Sequence, residues 1–401
     1  MMDKKRFLFD TLLANVSRKE IILLVGARQT GKTTLLQQLY QEMLSRGESC
    51  TFLTLEVKRY LDILNQDPEN IFQLIAPLRT EKRNVVFIDE VQYLNDPSNF
   101  LKHLFDLYHE QIKLIVSGSS AFYIDRKFRD SLAGRKRMFV LPTMSFKEFL
   151  YFKNQEELVE YVHVSTCPIV FRSRLRMLLA EYIIYGGYPD VVLAPTLDDK
   201  MAVLEEIAQS YVKKDALEAA IRKPKAYLNI LKILARQIGR LVNTYAIGKT
   251  LRLDNETVDS YMRLMQQSFH IALVSPFYRN VKKELRQKKK VYFQDLGLRN
   301  YFANNFDPIL LRDDRGELLE NYVFRLFADH YDVDWDIRYW RTQGKQEIDF
   351  IIKEKQAYEV KFSQSSFKLK KYEYFRSKYP DITLKVIHYD NLLEFSPDEK
   401  I

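Results

Sequence analysis

The chain has 401 residues, 46% hydrophobic and 29% charged, with 62 Lys+Arg against 53 Asp+Glu for a formal charge of +9. That length exceeds one ordinary core, so two to four domains are expected, and the positive excess favours an acidic partner, although lysines scattered over solvated helices give the same total. Cys50 and Cys167 are the only cysteines, which excludes a disulfide framework and a cysteine-rich zinc site and fits a reducing cytoplasm.

The basic start, Met1 to Arg6, is followed by Asp10 and Asn15 rather than a signal-peptide core, and no 18-residue apolar run occurs, so a cytoplasmic protein with no membrane role is expected. The apolar run Ile21–Val25 leads into Gly26-Ala27-Arg28-Gln29-Thr30-Gly31-Lys32-Thr33, then Thr34 and the helical pattern Leu35–Leu39. Strand, G-x-x-x-x-G-K-[ST] loop and helix in that order make a phosphate-binding P-loop. Its backbone N–H groups and helix N-terminus face the phosphates, Lys32 reaches the β- and γ-phosphates, and Thr33 holds Mg²⁺. A bound nucleoside triphosphate is therefore expected.

Asn84–Ile88 reads as a buried strand ending in Asp89 and Glu90. In order behind a P-loop this is a Walker B box, with Asp89 in the Mg²⁺ shell and Glu90 placed to polarise the attacking water. Ser98 to Glu110 reads as a helix, and Lys113–Val116 as a strand running into Ser117-Gly118-Ser119-Ser120. A hydroxyl beside Walker B can position the lytic water, so Ser117 or Ser119 is a sensor candidate, against a plain Ser-rich turn. After Gly134-Arg135 comes the strand pattern Met138–Leu141. Arg135 is a candidate to meet the γ-phosphate, in cis or from a neighbouring subunit; Arg126, Arg129 and Arg137 lie nearby, and the sequence does not choose among them.

Strands alternating with helices up to about residue 142 predict a parallel sheet with covering helices. Ser145 and Glu148 then form a capping box that opens a helical section, a candidate lid. Residues 171–220 read as amphipathic helices around the break Gly186-Gly187-Tyr188-Pro189, a hinge or packing corner. Helices Tyr227–Gly239, Thr244–Leu251 and Asn255–Ser268 have helix-turn-helix spacing, the last opened by Asp254 or Asn255. Asp254, Glu256 and Asp259 make that last helix acidic where it would approach phosphate, which favours a packing module over groove docking. The most basic stretch, Arg279 to Lys290, then leads into Val291-Tyr292-Phe293 as a basic wing for phosphate contact or a solvated hairpin tip.

Near the end, strand patterns Glu347–Ile352 and Tyr358–Lys361 flank the turn Lys353–Gln356. A hairpin there places Asp349 almost opposite Glu359 and Lys361, which share a face. Such a trio can bind Mg²⁺ through Asp349, Glu359 and the Val360 carbonyl, with Lys361 orienting water, for phosphodiester hydrolysis. The bland alternative is a satisfied ion-pair cluster.

The motifs Gly26–Thr34, Phe87-Ile88-Asp89-Glu90-Val91-Gln92, Ser117–Ser120, Ser131-Leu132-Ala133-Gly134-Arg135 and Tyr185-Gly186-Gly187-Tyr188-Pro189 together resemble the bacterial and archaeal AAA-type ATPases whose P-loop domain is joined to DUF4143. The resemblance spans nearly the whole chain. It implies an AAA+ ATPase with a winged-helix-like middle and a C-terminal part similar to the restriction-endonuclease-like, PD-(D/E)xK fold, in which Glu320 joins Asp349, Glu359 and Lys361. It also implies adenine over guanine, and no N-K-x-D guanine motif is present. The expected fold class is α/β: a P-loop ATPase domain at 1–150, helical lid and linker at 151–224, winged-helix-like domain at 225–305 and restriction-endonuclease-like domain at 306–401. The expected function is ATP hydrolysis with Mg²⁺, coupled to binding or cleavage of DNA or RNA. The alternative is an ATP-driven switch that docks a protein partner and carries an inactive nuclease-like tail.

Overall fold

The computed structural model describes residues 4–78, 83–119, 132–164, 166–211, 221, 223–278, 288–344 and 346–397. The chain divides into two compact units, Met1–Pro142 with Gln267–Phe269, and Thr143–Gln266 with His270–Ile401.

The first unit runs α1 (Leu8–Asn15), β1 (Ile21–Gly26), α2 (Lys32–Ser45), β2 (Cys50–Thr54), α3 (Lys58–Gln66), β3 (Asn84–Asp89), α4 (Pro97–Tyr108), β4 (Ile112–Ser119) and β5 (Lys136–Val140). Its five strands are all parallel, in the order β2-β3-β4-β1-β5. The continuous apolar runs follow from a sheet covered on both faces. Side-chain alternation sorts each run between two cores. Ile22, Leu24, Val85, Phe87 and Ile115 join Leu35, Leu36 and Leu39 of α2 on one face. Ile21, Leu23, Val25, Val86, Ile88, Leu114 and Val116 join Leu64 of α3 and Phe100, Leu101 and Leu104 of α4 on the other. Because β4 separates β1 from β3, Ser117 is held between the P-loop strand and the Walker B strand.

The second unit begins with helices α5 (Phe146–Phe152), α6 (Glu156–Val159), α7 (Ile169–Tyr185), α8 (Pro189–Leu193), α9 (Leu197–Ser210), α10 (Pro224–Ala235), α11 (Thr244–Leu251) and α12 (Asn255–Gln267). The capping box at Ser145 and Glu148 is formed in both directions, and the Asp254 carboxylate accepts the Thr257 N–H at 2.7 Å to open α12. Strands and helices then follow as β6 (Ile271–Pro276), β7 (Lys290–Phe293), α13 (Leu296–Ala303), α14 (Arg315–Ala328), β8 (Ile337–Arg341), β9 (Glu347–Ile352), β10 (Gln356–Lys361), α15 (Glu373–Lys378) and β11 (Thr383–His388). One mixed sheet, β11-β10-β9-β8-β6-β7, runs through them. Since β6 pairs with β8 and β7 pairs with β6, the hairpin after α12 is part of the C-terminal sheet, with no break between compact units near residue 305.

The Gly186-Gly187 break is a packing corner. The Gly187 N–H donates to the Asp295 carboxylate at 2.8 Å, and Asp295 also caps α13 through the Leu298 N–H at 2.9 Å. Burial raises the Asp295 carboxyl above its ordinary range, against the pull of these two N–H bonds. No helix among the described residues is long and apolar enough to cross a membrane.

Candidate functional site

At the C-terminal end of β1 the chain leaves the sheet through residues that need unusual backbone. Gly26 lies at φ +156, where a β-carbon would sit 2.2 Å from the Leu141 carbonyl oxygen. Gln29 is at φ +59 and Gly31, the residue before α2, at φ +91. The turn is braced from inside: the buried Thr30 hydroxyl donates to the Ala27 carbonyl at 2.9 Å, and the Lys32 ammonium donates to the carbonyls of Gly26 at 3.0 Å and Ala27 at 2.8 Å. Arg6, outside the motif, donates to the Thr30 carbonyl and the Pro142 carbonyl, both at 2.9 Å, and so holds the loop from behind.

The Walker B residues meet this loop. Asp89 is buried and accepts from the Thr33 hydroxyl at 2.8 Å and from the Ser117 hydroxyl. Burial raises the Asp89 carboxyl, while these two hydroxyls pull it down. The Glu90 N–H donates to Ser117 Oγ at 3.2 Å, so one serine ties both acids together. Glu90 itself is left-handed at φ +60, a conformation a β-carbon disfavours by roughly 1 kcal/mol, and its carboxylate accepts from the Gln92 side-chain amide. Strain at a residue placed to face water is a feature of functional turns. The set fits a nucleotide with Mg²⁺: a braced glycine loop, a buried lysine, and a hydroxyl–carboxylate pair (Thr33, Asp89) converging from two elements. Arg28 and Thr34 complete the motif's span at the loop and the start of α2.

Arg135 is placed elsewhere. Its carbonyl accepts the Ile21 N–H at 2.8 Å and Lys136 is level with Ile21, so it stands at the N-terminal edge of the sheet, opposite the P-loop. Its guanidinium is bidentate to Asp106, at 2.6 and 3.1 Å. The in-cis finger role is thereby corrected: five residues of strand, roughly 16 Å, separate it from the loop. Arg135→Ala is expected to leave ATP affinity within about twofold by calorimetry; a tenfold loss would contradict this placement. Arg137 donates to Asn15 at 2.6 Å. Arg126, Arg129, Ser120 and the basic run 279–287 lie outside the described residues, as does the side chain of Ser119.

The C-terminal acids do converge, but around a lysine. Lys290, expected at the end of an exposed basic run, is fully buried. Its Nζ lies 3.0 Å from Glu320 Oε1 on α14, and 2.6 Å from Glu347 Oε1 and 3.3 Å from Asp349 Oδ1, both on β9. Burial alone would lower this ammonium's pKa, yet Glu320, Tyr292, Asp349 and Glu347 hold it well above its ordinary value. The Tyr292 hydroxyl donates to Glu320 at 2.6 Å and the Val360 N–H to the second Asp349 oxygen at 2.9 Å. On β10, Lys361 pairs with Glu359 and donates to the Val360 carbonyl at 3.1 Å, while the Tyr372 hydroxyl donates to Glu359 at 2.8 Å. Burial, then Asp349, pushes the Glu359 carboxyl up to about 7.

These residues do not fit the expected Mg²⁺ site. The Val360 carbonyl and one Glu359 oxygen are engaged by Lys361, Asp349 is shared between Lys290 and a backbone N–H, and among the described residues no three His, Cys, Asp or Glu are grouped to hold a metal ion. Lys290 escaped the sequence reading because a lysine at the end of a basic run looks solvated. Its one signal was adjacency to the apolar Val291-Tyr292-Phe293.

With this geometry in hand, residues 18–150 match the family model described as an AAA domain, 176–308 match a domain of unknown function (DUF8612), and 315–400 match another (DUF4143). The AAA match lies within the span 1–150 that holds the P-loop and the Asp89–Glu90 pair. An uncharacterized protein of Methanocaldococcus jannaschii is 24% identical over 386 residues, 93% of this chain and 82% of that protein. One from Haemophilus influenzae is 28% identical over 363 residues, 87% of this chain and 83% of its own. Among solved structures, the Aeropyrum pernix ORC1 protein in complex with DNA is similar at a TM-score of 0.35 and 12% identity, over 76% of this chain and 94% of that one. AMPPCP-bound DnaA from Aquifex aeolicus is similar at a TM-score of 0.29 and 17% identity, over 65% and 86%.

Proposed function

We propose that this protein is an ATP-hydrolysing switch, in which the nucleotide state of the AAA-type domain governs capture of a partner by the second unit. The observation that carries it is the chain of hydrogen bonds Thr33–Asp89–Ser117–Glu90, which joins the phosphate loop to the residue placed to activate water. Bound ATP supplies the reactive phosphoanhydride, with Mg²⁺ as its counter-ion. Lys32 and the loop N–H groups hold the phosphates, and Thr33 and Asp89 hold the metal's shell. Ser117 fixes the Glu90 backbone, and the Glu90 carboxylate orients a water and accepts its proton. The Gln92 amide steadies that carboxylate.

Cleavage of nucleic acid by Glu320, Asp349, Glu359 and Lys361 is the weaker reading, because those acids are already committed to lysine ammonium groups. Nucleic-acid binding without cleavage is supported by the formal charge of +9. Two assays separate the readings. Labelled DNA and RNA are incubated with Mg²⁺ or Mn²⁺, with and without ATP, using wild type and Asp349→Ala. The same probes and a protein extract are tested for retention by the ATP-loaded and ADP-loaded protein. Nucleotide-dependent capture without cleavage is the expected outcome. Divalent-dependent cleavage that disappears in Asp349→Ala would replace the switch with a nuclease.

A further inference from the structure

Three carboxylates on two elements meet a single cation that the chain itself provides. Lys290 opens β7, and its side chain reaches between α14 and β9, where Glu320, Glu347 and Asp349 approach its Nζ to 3.0, 2.6 and 3.3 Å. The Tyr339 ring lies 5.7 Å from the same nitrogen. Each acid also has a second donor: the Tyr292 hydroxyl shares Glu320 Oε1 with the lysine, while Arg341 and the Val360 N–H hold the far oxygens of Glu347 and Asp349. Gly239 walls off Glu320, since a β-carbon there would stand 3.0 Å from both of its oxygens. Such spacing suits an ammonium. A hard divalent ion draws its oxygens to roughly 2.0–2.6 Å and repels a lysine buried among them.

We infer that Lys290 is a built-in replacement for a divalent cation: its ammonium occupies the centre of the acid cluster, so the native protein takes no divalent ion there, and removing that one charge creates a divalent-cation site. Methionine at 290 keeps most of the aliphatic stem but ends one heavy atom sooner and carries no charge. The three carboxylates, held apart around the ammonium in the native protein and not grouped there as ion ligands, then lose their counter-charge and can close on Mn²⁺ or Mg²⁺, which take oxygen donors of this kind. The inference goes beyond the ATP switch and stands independently of it, because the measurement uses no nucleotide and reads metal occupancy rather than activity.

The test is a Mn²⁺ titration of the full chain, free of nucleotide, followed by electron paramagnetic resonance of free Mn²⁺. Wild type, Asp349→Asn, Lys290→Met and the double variant Lys290→Met/Asp349→Asn are compared. Wild type and Asp349→Asn are expected to bind alike. Lys290→Met is expected to gain one Mn²⁺ at least tenfold tighter than any in wild type, and the double variant to lose it. The thermal midpoint of Lys290→Met should rise with millimolar Mn²⁺ while that of wild type does not. A wild-type Mn²⁺ site that vanishes in Asp349→Asn overturns the inference, and so does a folded Lys290→Met that gains no ion. Should Lys290→Met fail to fold, Lys290→Gln takes its place. If neither folds, the wild-type comparison decides the native half of the inference: equal binding in wild type and Asp349→Asn upholds that the native cluster takes no divalent ion, and loss in Asp349→Asn overturns the inference.

Discussion

Lys32→Ala is expected to abolish ATP binding in the range where wild type saturates, and Glu90→Gln to retain ATP while stopping turnover. The first expectation rests on what the ammonium does in the loop. Lys32 is buried and bonded to the Gly26 and Ala27 carbonyls, so it closes the loop on itself as well as carrying the charge that meets phosphate. A charged hydrogen bond contributes roughly 1.5–3 kcal/mol, about 10- to 150-fold, so losing a lysine that reaches both the β- and γ-phosphates should weaken binding on the order of 100-fold or more. Glu90→Gln keeps the shape and the backbone bond to Ser117 but removes the proton acceptor. A positioned general base contributes roughly 10²–10⁴ in rate, so turnover should fall by that range with affinity little changed. Calorimetry with ATP and a phosphate-release assay read the two separately. Unchanged ATP affinity in Lys32→Ala, or wild-type turnover in Glu90→Gln, would remove these residues from their roles.

What could be read from the chain before its fold was known follows from how local each signal is. The P-loop and the Walker B strand are local: an apolar run, a glycine loop and a helix, then an apolar run ending in two acids. Their strands are buried on both faces, so even the sorting of Ile21, Leu23 and Val25 from Ile22 and Leu24 between two cores follows from alternation. The left-handed backbone of Glu90 was not legible, because it depends on Ser117 arriving from β4 to accept the Glu90 N–H. The side of the sheet on which Arg135 stands was not legible for a similar reason. Its position in a turn was readable, but which edge of the sheet that turn occupies is set by the parallel pairing of β5 with β1. The C-terminal hairpin was legible from its turn and alternation, and Val360 does donate to Asp349 across it. The counter-charge was not, since Lys290 reaches the acids only once β7 has paired with β6 and α14 has packed beside it. A long-range pairing turned the last lysine of a basic run into a fully buried charge.

Gly297→Ala should unfold the second unit at markedly lower denaturant, while Gly316→Ala leaves it unchanged or slightly stabilised. A β-carbon at 297 would lie 1.9 Å from the Tyr185 carbonyl oxygen and 2.3 Å from its carbon, both backbone atoms that cannot rotate aside. The clash falls at the corner where Gly187 accepts no side chain either, its β-carbon position being 2.3 Å from the Met144 carbonyl oxygen. Relief requires α13 to shift, which pulls Asp295 away from the Gly187 and Leu298 N–H groups and leaves a buried carboxylate short of donors. Overpacking of this kind costs about 3 kcal/mol, and the loss of Asp295's bonds adds to it. At Gly316, in the first turn of α14, a β-carbon would meet nothing within 4 Å, and alanine is favoured over glycine in a helix by about 0.8–1 kcal/mol. The readout is selective by composition: the chain has two tryptophans, Trp335 and Trp340, and both belong to the second unit. Trp340 is buried against Phe375 and Tyr379, so its fluorescence follows that unit's core alone. A Gly297→Ala protein with the wild-type tryptophan midpoint would show that the α7–α13 corner yields without cost, and the packing role assigned to the Gly-Gly break would fall with it.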